Sequence, residues 1–382
     1  MGMIRFLTAG ESHGKALVAT IEGMPAGLRL DEDYIATDLA RRQGGYGRGG
    51  RMKIEQDRAE ILSGVRHGKT IGSPIALLIH NKDWENWRDE MSVSATKKKV
   101  EPVTRLRPGH ADLAGVIKYG LDDVRPILER ASARETAARV AVGSVARRFL
   151  EEFDIALHSH TVEIGGQQAK AAANVNWQKV EKSPVRCADA KAEKAMTAAI
   201  DEAKKAGDSL GGVFEVVATG VPIGLGSHVH WDRRLDGLIA QAMMSINAAK
   251  AVEIGAGLGV AGMRGSQVHD IIEYGEKSWH HKSNNAGGIE GGMSNGEDIV
   301  LRVTMKPIPT LGEPLPSIDI QTHKIAKAHV ERSDVCIVPA AGVIGEAMLA
   351  IVLADALLQK FGGDSLKETR DNYRRFVRSY QR

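Results

Sequence analysis

A mixed α and β protein is what the sequence predicts, and three observations carry that expectation. Short apolar and β-branched runs at 4–9, 75–79, 212–219 and 299–305 read as strands. Helical patterns stand at 31–42, 233–250 and 344–361, with apolar residues recurring three and four apart. Glycine is frequent, 42 of 382 residues, and falls in separate clusters, so many tight turns and close backbone approaches are expected. Periodicity of this kind is shared by a doubly wound α/β fold and by an α+β sandwich.

Composition narrows the function classes. Hydrophobic residues make up 43% and charged residues 26%, which suits a full globular core. Lys+Arg 51 against Asp+Glu 48 leaves a net charge of +3, too small for bulk nucleic-acid binding. The basic residues are instead clustered, which points to a site. Cys187 and Cys336 form neither a disulfide framework nor a metal spacing, so a reducing, cytoplasmic setting is expected. The first residues have no signal-peptide layout, and the apolar run at 341–358 is interrupted by Glu346 and Asp355, which argues against a membrane span.

In chain order, the strand at 4–9 ends in Gly-Glu-Ser-His-Gly at 10–14, placing His13 between glycines at a strand end. The helix at 31–42 turns Ile35 and Leu39 inward and carries arginines in its last turn, before Gly44. Gly45, Gly47 and Gly50 satisfy G-x-G-x-x-G, but they follow a helix and precede a strand-like 52–55. A dinucleotide fingerprint requires the reverse order. Gly68-Lys69-Thr70 imitates a P-loop, yet Ser63 stands where the first glycine should be and a strand follows. What remains is a mobile glycine-rich loop with Arg42, Arg48 and Arg51, able to close over an anion.

Trp84 and Trp87, in a chain with 4% aromatics, are expected to anchor a loop or a subunit contact. Lys97-Lys98-Lys99 reads as a solvated turn. A second basic stretch, 105–139, holds Arg107, His110, Arg130, Arg134 and Arg139 around a helix start. Ser132 and Glu135 have capping-box spacing, and Ala138, Val142, Val145 and Phe149 give the helix an inward stripe. A helix N-terminus with flanking arginines suits a phosphate or carboxylate. The segment at about 174–206 is polar, then Ala- and Lys-rich, and reads as a peripheral helix with Met196, Ile200 and Ala203 inward. His228 and His230 form a His-x-His pair without a supporting Cys, Asp or Glu spacing. The helix at 233–250 turns Leu235, Leu238, Ala242, Ile246 and Ala249 to one face, and the apolar helix at 344–361 should lie buried between layers or in an interface.

Seven motifs occur in an order that resembles the chorismate synthase family. They are Gly-Glu-Ser-His-Gly at 10–14, Arg-Arg-Gln-Gly-Gly-Tyr-Gly-Arg at 41–48, Arg-Pro-Gly-His-Ala-Asp at 107–112 and Glu-Arg-Ala-Ser-Ala-Arg-Glu-Thr at 129–136. Gly-Gly-Ile-Glu-Gly-Gly at 287–292, Lys-Pro at 306–307 and Glu-Arg-Ser-Asp at 331–334 complete the set. Ser333 and Val335 stand where some branches of the family have His and Pro around the aspartate, a difference of local loop shape.

The resemblance implies an α+β fold: a β-α-β sandwich with helices between two antiparallel sheets, one domain over 1–382, usually a homotetramer. It implies a reduced-FMN-dependent 1,4-anti elimination of phosphate from 5-enolpyruvylshikimate 3-phosphate to give chorismate. In the family's chemistry the flavin lends an electron to the substrate and N5 receives the proton. By similarity His13 would protonate the leaving phosphate, His110 would protonate the flavin, and Asp334 would assist proton removal at N5. Ser12, Arg42, Arg48, Arg107, Ser132, Arg134 and Arg332 would hold the substrate. The flavin would lie along Arg130, Ala131, Ser132, Asn247, Ala248, Gly291, Lys306, Pro307, Ile308, Pro309, Thr310 and Arg332.

Arg42 and Arg48 also match positions linked to NADPH in members that reduce their own flavin; the lack of a dinucleotide fold favours a separate flavin reductase. No nucleic-acid or membrane partner is implied. The residues read without the resemblance also suit a metal-dependent hydrolase built on His13, His110, His228 and His230, or a non-catalytic anion or nucleic-acid binder.

Overall fold

The computed structural model describes residues 3–49, 56–96, 98–171, 174–275, 278–331 and 333–380. Two sheets enclose a layer of helices. The first sheet runs in the order Arg5–Ala9, Ala16–Glu22, Ile75–His80, Glu60–Ile61, with every pairing antiparallel. The second runs Ala249–Ile254, Ile299–Met305, Gly212–Thr219, Ala156–Ile164, Gln167–Gln168, again antiparallel throughout. The helix Thr136–Glu151 packs on the first sheet, the helix Val338–Phe361 packs on the second, and the two pack on each other. Glu32–Gln43 lies against both helices. This is the β-α-β sandwich, and the α+β class, that the family resemblance implied.

The layer order explains the sequence patterns. Thr136–Glu151 meets a sheet on one side and a helix on the other, so it is buried nearly all round, beyond the stripe its periodicity suggested. Gly143 sits where Val338–Phe361 crosses; a β-carbon there would come within 2.3 Å of Ala347 Cβ, so the crossing requires glycine. Phe149 and Phe214 are fully buried, and each such side chain contributes about 1.5–3 kcal/mol of burial. One continuous apolar cluster reaches from Ile4 to Leu366. A smaller one of Val103, Leu106, Val116, Val124 and Leu128 lies under the basic stretch. Val338–Phe361 is long and apolar enough to cross a membrane by composition, yet 89% of its most apolar window is buried inside the fold.

Several elements differ from the sequence expectation. The 233–250 helix ends at Met244; Ile246 and Ala249 are buried, but in a turn and in the following strand. Arg139 donates to the Ser245 carbonyl, satisfying the helix end, and Ala248 adopts φ +70 as the chain reverses. Leu238 is half-buried, and Ile239 and Met243 take its inward place. The capping box at Ser132 is only half made. Ser132 Oγ accepts the Arg134 N–H at 3.3 Å and caps a short 3-10 turn, Ala133–Glu135, before the helix proper. Glu135 is drawn instead to Thr8 Oγ1 at 3.0 Å and Arg139 Nε at 2.9 Å, because the first strand runs alongside. The strand expected at 52–55, with Gly50 and Arg51, falls outside the described residues.

Candidate active site

A cavity of about 640 Å³ opens where the basic stretch, the glycine-rich loop and the 306–310 and 329–337 segments meet. Its wall is both cationic and apolar. Arg42, Arg48, Arg107, Arg134 and Lys306 line it, together with Leu128, Ala131, Ala248, Ile308, Pro309 and Ile337.

Arg42 enters from the last turn of Glu32–Gln43 and is buried. Its Nε donates to Thr136 Oγ1 at 2.9 Å and its Nη2 to the Ala133 carbonyl at 2.9 Å. Nη1 lies 3.6 Å from Asp57 Oδ2 and makes no hydrogen bond. Burial, then the neighbouring Arg48 and Arg134 charges, push its guanidinium down to about 9. Arg134, also buried, holds Asp57 Oδ1 at 2.6 Å and Asn81 Oδ1 at 2.9 Å. Arg48 Nη1 stands 3.4 Å from Asp334 Oδ2, and the Gly49 N–H donates to Asp334 Oδ1 at 2.5 Å. The glycine-rich loop is therefore tied to the 333–337 segment.

The two histidines occupy matching corners. His13 Nδ1 lies 2.9 Å from Glu129 Oε1, and its ring stacks on Trp87 with centroids 4.0 Å apart. His110 Nδ1 lies 2.5 Å from Asp112 Oδ1. Arg107 grips the same carboxylate with Nε at 2.9 Å and Nη2 at 3.1 Å, and reaches Thr310 Oγ1 at 3.2 Å. Burial works against the Asp112 charge, but hydrogen bonds from His110 and Arg107 outweigh it and hold the carboxyl well below its usual range. Lys306 Nζ donates to the Gly109 carbonyl, joining the far wall to the His110 turn; burial, and then Lys250, lower its pKa.

A family model described as chorismate synthase matches residues 4–358. The chorismate synthase of Moorella thermoacetica is 59% identical over 368 residues, covering 95% of this chain and 96% of that protein. That of Aquifex aeolicus is 57% identical, covering 98% and 97%. The chain belongs to the chorismate synthase family. A solved chorismate synthase structure superposes with a TM-score of 0.81 at 48% identity, covering 99% of this chain and 98% of that one.

Most of the residues that the chorismate synthase motifs single out line this one cavity. It takes in Ser12, His13, Arg42, Arg48, Arg107, His110, Ala131, Ser132, Arg134, Asn247, Ala248, Lys306, Ile308, Pro309, Thr310 and Asp334. Arg130 does not line it: the side chain donates to the Gly10 and Thr8 carbonyls, both at 3.0 Å, and braces the first strand's end. Gly291 lies in a hairpin against Gly226 and Leu235, also outside the lining. Pro307 is exposed, and Arg332 falls outside the described residues. His228 and His230 do not line the cavity; His230 pairs with Asp232 at 2.7 Å, and no cluster able to hold a metal ion occurs among the described residues.

The structure adds residues to which the sequence reading assigned no role. Glu129 and Asp112 were inside quoted motifs, and the short spacing of Asp112 from His110 was a usable signal. Trp87, expected as an anchor, stacks on His13. Asp57, between Arg42 and Arg134, carried no local signal at all.

Proposed function

We propose that this chain catalyses the reaction for which its family is named, the 1,4-anti elimination of phosphate from 5-enolpyruvylshikimate 3-phosphate to give chorismate. The observation that carries this reading is the convergence of His13, His110 and Asp334 with five arginines on one cavity wall. The substrate carries a phosphate and two carboxylates, and arginine's planar fork suits both groups. Arg42, whose buried Nη1 has no hydrogen-bond partner among the described residues, and Arg134 and Arg48 beside it form the natural anion seat.

The apolar portion of the wall fits a flavin. Asn247 Oδ1 is buried there without a hydrogen-bond partner among the described residues, which suits a ring carrying N–H donors. Ala131, Ser132, Asn247, Ala248, Lys306, Ile308, Pro309 and Thr310 would hold it. Reduced FMN, when bound, supplies transient electron density that weakens the bond to the departing phosphate.

The chain's own residues then manage charge and protons. The arginines neutralise the phosphate as its charge grows on leaving. His13, its Nδ1 committed to Glu129, delivers a proton from Nε2 to a phosphate oxygen. His110, paired with Asp112, would support protonation at the cofactor, and Asp334, beside Arg48, would assist removal of the proton that the cofactor receives. We assign the flavin's reduction to a separate reductase and the assembly to a homotetramer acting in the cytoplasm. An anaerobic assay with dithionite-reduced FMN and the enolpyruvyl substrate tests the reading. Chorismate absorbance should rise only with reduced flavin present, and turnover that is abolished by chelation or that proceeds without flavin would contradict it.

A further inference from the structure

We infer that Glu129 is a positioning residue for His13, holding the ring in one tautomer and one orientation; this rests on the functional reading above. Glu129 has a fully buried side chain and touches the 12–13 turn three times. Its Oε2 accepts the His13 backbone N–H at 2.6 Å, its Oε1 meets His13 Nδ1 at 2.9 Å, and its own carbonyl accepts the Ser12 N–H at 3.2 Å. One residue therefore clamps both the backbone and the ring of His13.

A carboxylate at Nδ1 selects the tautomer with hydrogen on Nδ1, so proton exchange with substrate falls to Nε2. Two further groups hold Glu129 and the ring. Arg125 Nη1 reaches Glu129 Oε1 at 3.3 Å, and the Trp87 ring stacks on His13 while lying 5.1 Å from the Arg125 guanidinium. Arg125 is itself shared with Glu331 at 2.6 Å, and Glu331 pairs with His329 at 3.3 Å. The other charged or titratable groups on the cavity wall are Arg42, Arg48, Arg107, His110, Arg134, Lys306 and Asp334.

In the step itself the proton leaves Nε2 for a phosphate oxygen as the carbon–oxygen bond breaks, and that bond's electron pair departs with the phosphate. Neutral His13 retains Nδ1–H on Glu129, which stays a carboxylate throughout. The corner formed by His110, Asp112 and Arg107 repeats the arrangement with different residues.

The test compares the parent with Glu129→Gln, Glu129→Asp, His13→Ala and the double variant, all with reduced FMN. Glu129→Gln should lower kcat by about 10²-fold while KM stays within about threefold. In the Glu129→Gln background His13→Ala should cost almost nothing further, because the two act as a unit. Glu129→Asp, which keeps the carboxylate acceptor, should recover most of the parent's kcat, and it carries the test should Glu129→Gln not fold. A parent without turnover would sink the functional reading, and this inference with it. An active parent whose Glu129→Gln variant keeps its kcat, or whose loss adds in full to that of His13→Ala, would overturn the positioning role alone.

Discussion

Arg41 and Arg42 are neighbours in the last turn of one helix, and they meet opposite surroundings. Arg41 points into a buried cluster in which Arg41, Arg147 and Arg186 face Glu346, Asp38 and Glu181, three charges against three. Burial opposes its charge, but Glu346 outweighs that and raises its pKa. Arg42 points into the cavity, where, among the described residues, Arg42, Arg48, Arg107, Arg125, Arg134 and Lys306 face Asp57, Asp112, Glu129, Glu331 and Asp334. There burial and like charges push it down to about 9. One helix turn thus splits the basic residues between a cluster that is already neutral and one that, among the described residues, is short of negative charge. The neutral cluster locks the helix layer to the second sheet. The short one waits for an anion.

The largest effect should come from the neutral cluster. Glu346 is 1% exposed, and Glu346→Ala would leave Arg41, Arg147 and Arg186 without their central carboxylate. Breaking a buried pair in this way costs about 3–5 kcal/mol, measured as a drop in the urea midpoint. A loss under about 1 kcal/mol would show that the cluster is not a lock. Its carboxyl is held down to about 2: burial raises it, and Arg147 and Arg41 outweigh that. Because the folded value is depressed, this stability is complete above the unfolded value near 4.3 and is lost as pH falls towards 2. Glu181 and Glu331, also held down to about 2, share that window, so Glu346→Ala should flatten the acid limb in part rather than abolish it.

A smaller effect, of a different kind, is expected at Arg42. Its folded pKa lies below the unfolded value near 12.5, so its charge is a cost to the fold that is complete below pH about 9. Inorganic phosphate should therefore raise the parent's Tm by relieving that cost. Arg42→Ala should bind phosphate on the order of 30-fold more weakly, about 2 kcal/mol, and lose most of the Tm response. In the parent the response should fade as pH rises through 9, where Arg42 gives up its proton. An undiminished response in Arg42→Ala would place the anion seat elsewhere.

The contrast also marks what could be read without coordinates. Strand and helix cores were legible because their apolar periods are local, as at 75–79 and 31–42. Convergence of the site was legible only through the family's motifs, since Arg42, Arg107 and Asp334 lie far apart in the chain. The partner of each charge was not legible. Nothing around Asp57 announces that it will lie between Arg42 and Arg134, and nothing around Glu346 separates a helix interruption from the hub of three arginines. The helix overrun past Met244 has the same origin: Ile246 and Ala249 are apolar for a turn and a strand, and their spacing happened to continue the helical period.

The smallest of these effects should fall on the loop that carries Arg48. Unlike Arg42, this arginine rides on irregular chain, and the helix Ala190–Lys205 supplies part of its rigidity. The Tyr46 N–H donates to the Pro184 carbonyl at 2.7 Å, Tyr46 Oη reaches Asp201 at 2.8 Å, and the Gly47 carbonyl accepts from the Val335 N–H at 2.7 Å. Gly47 has φ +83, and a β-carbon there would meet Ile200 Cγ2 at 2.9 Å. Gly47→Ala is therefore strained in its backbone and crowded against that helix, at a cost of about 1 kcal/mol. Because the strain sits beside Arg48 and not beside Arg42, KM for the enolpyruvyl substrate should rise severalfold while the phosphate response assigned to Arg42 persists. Loss of both together would mean that the two arginines belong to one rigid unit, and that the glycine loop has no independent part in closing over the substrate.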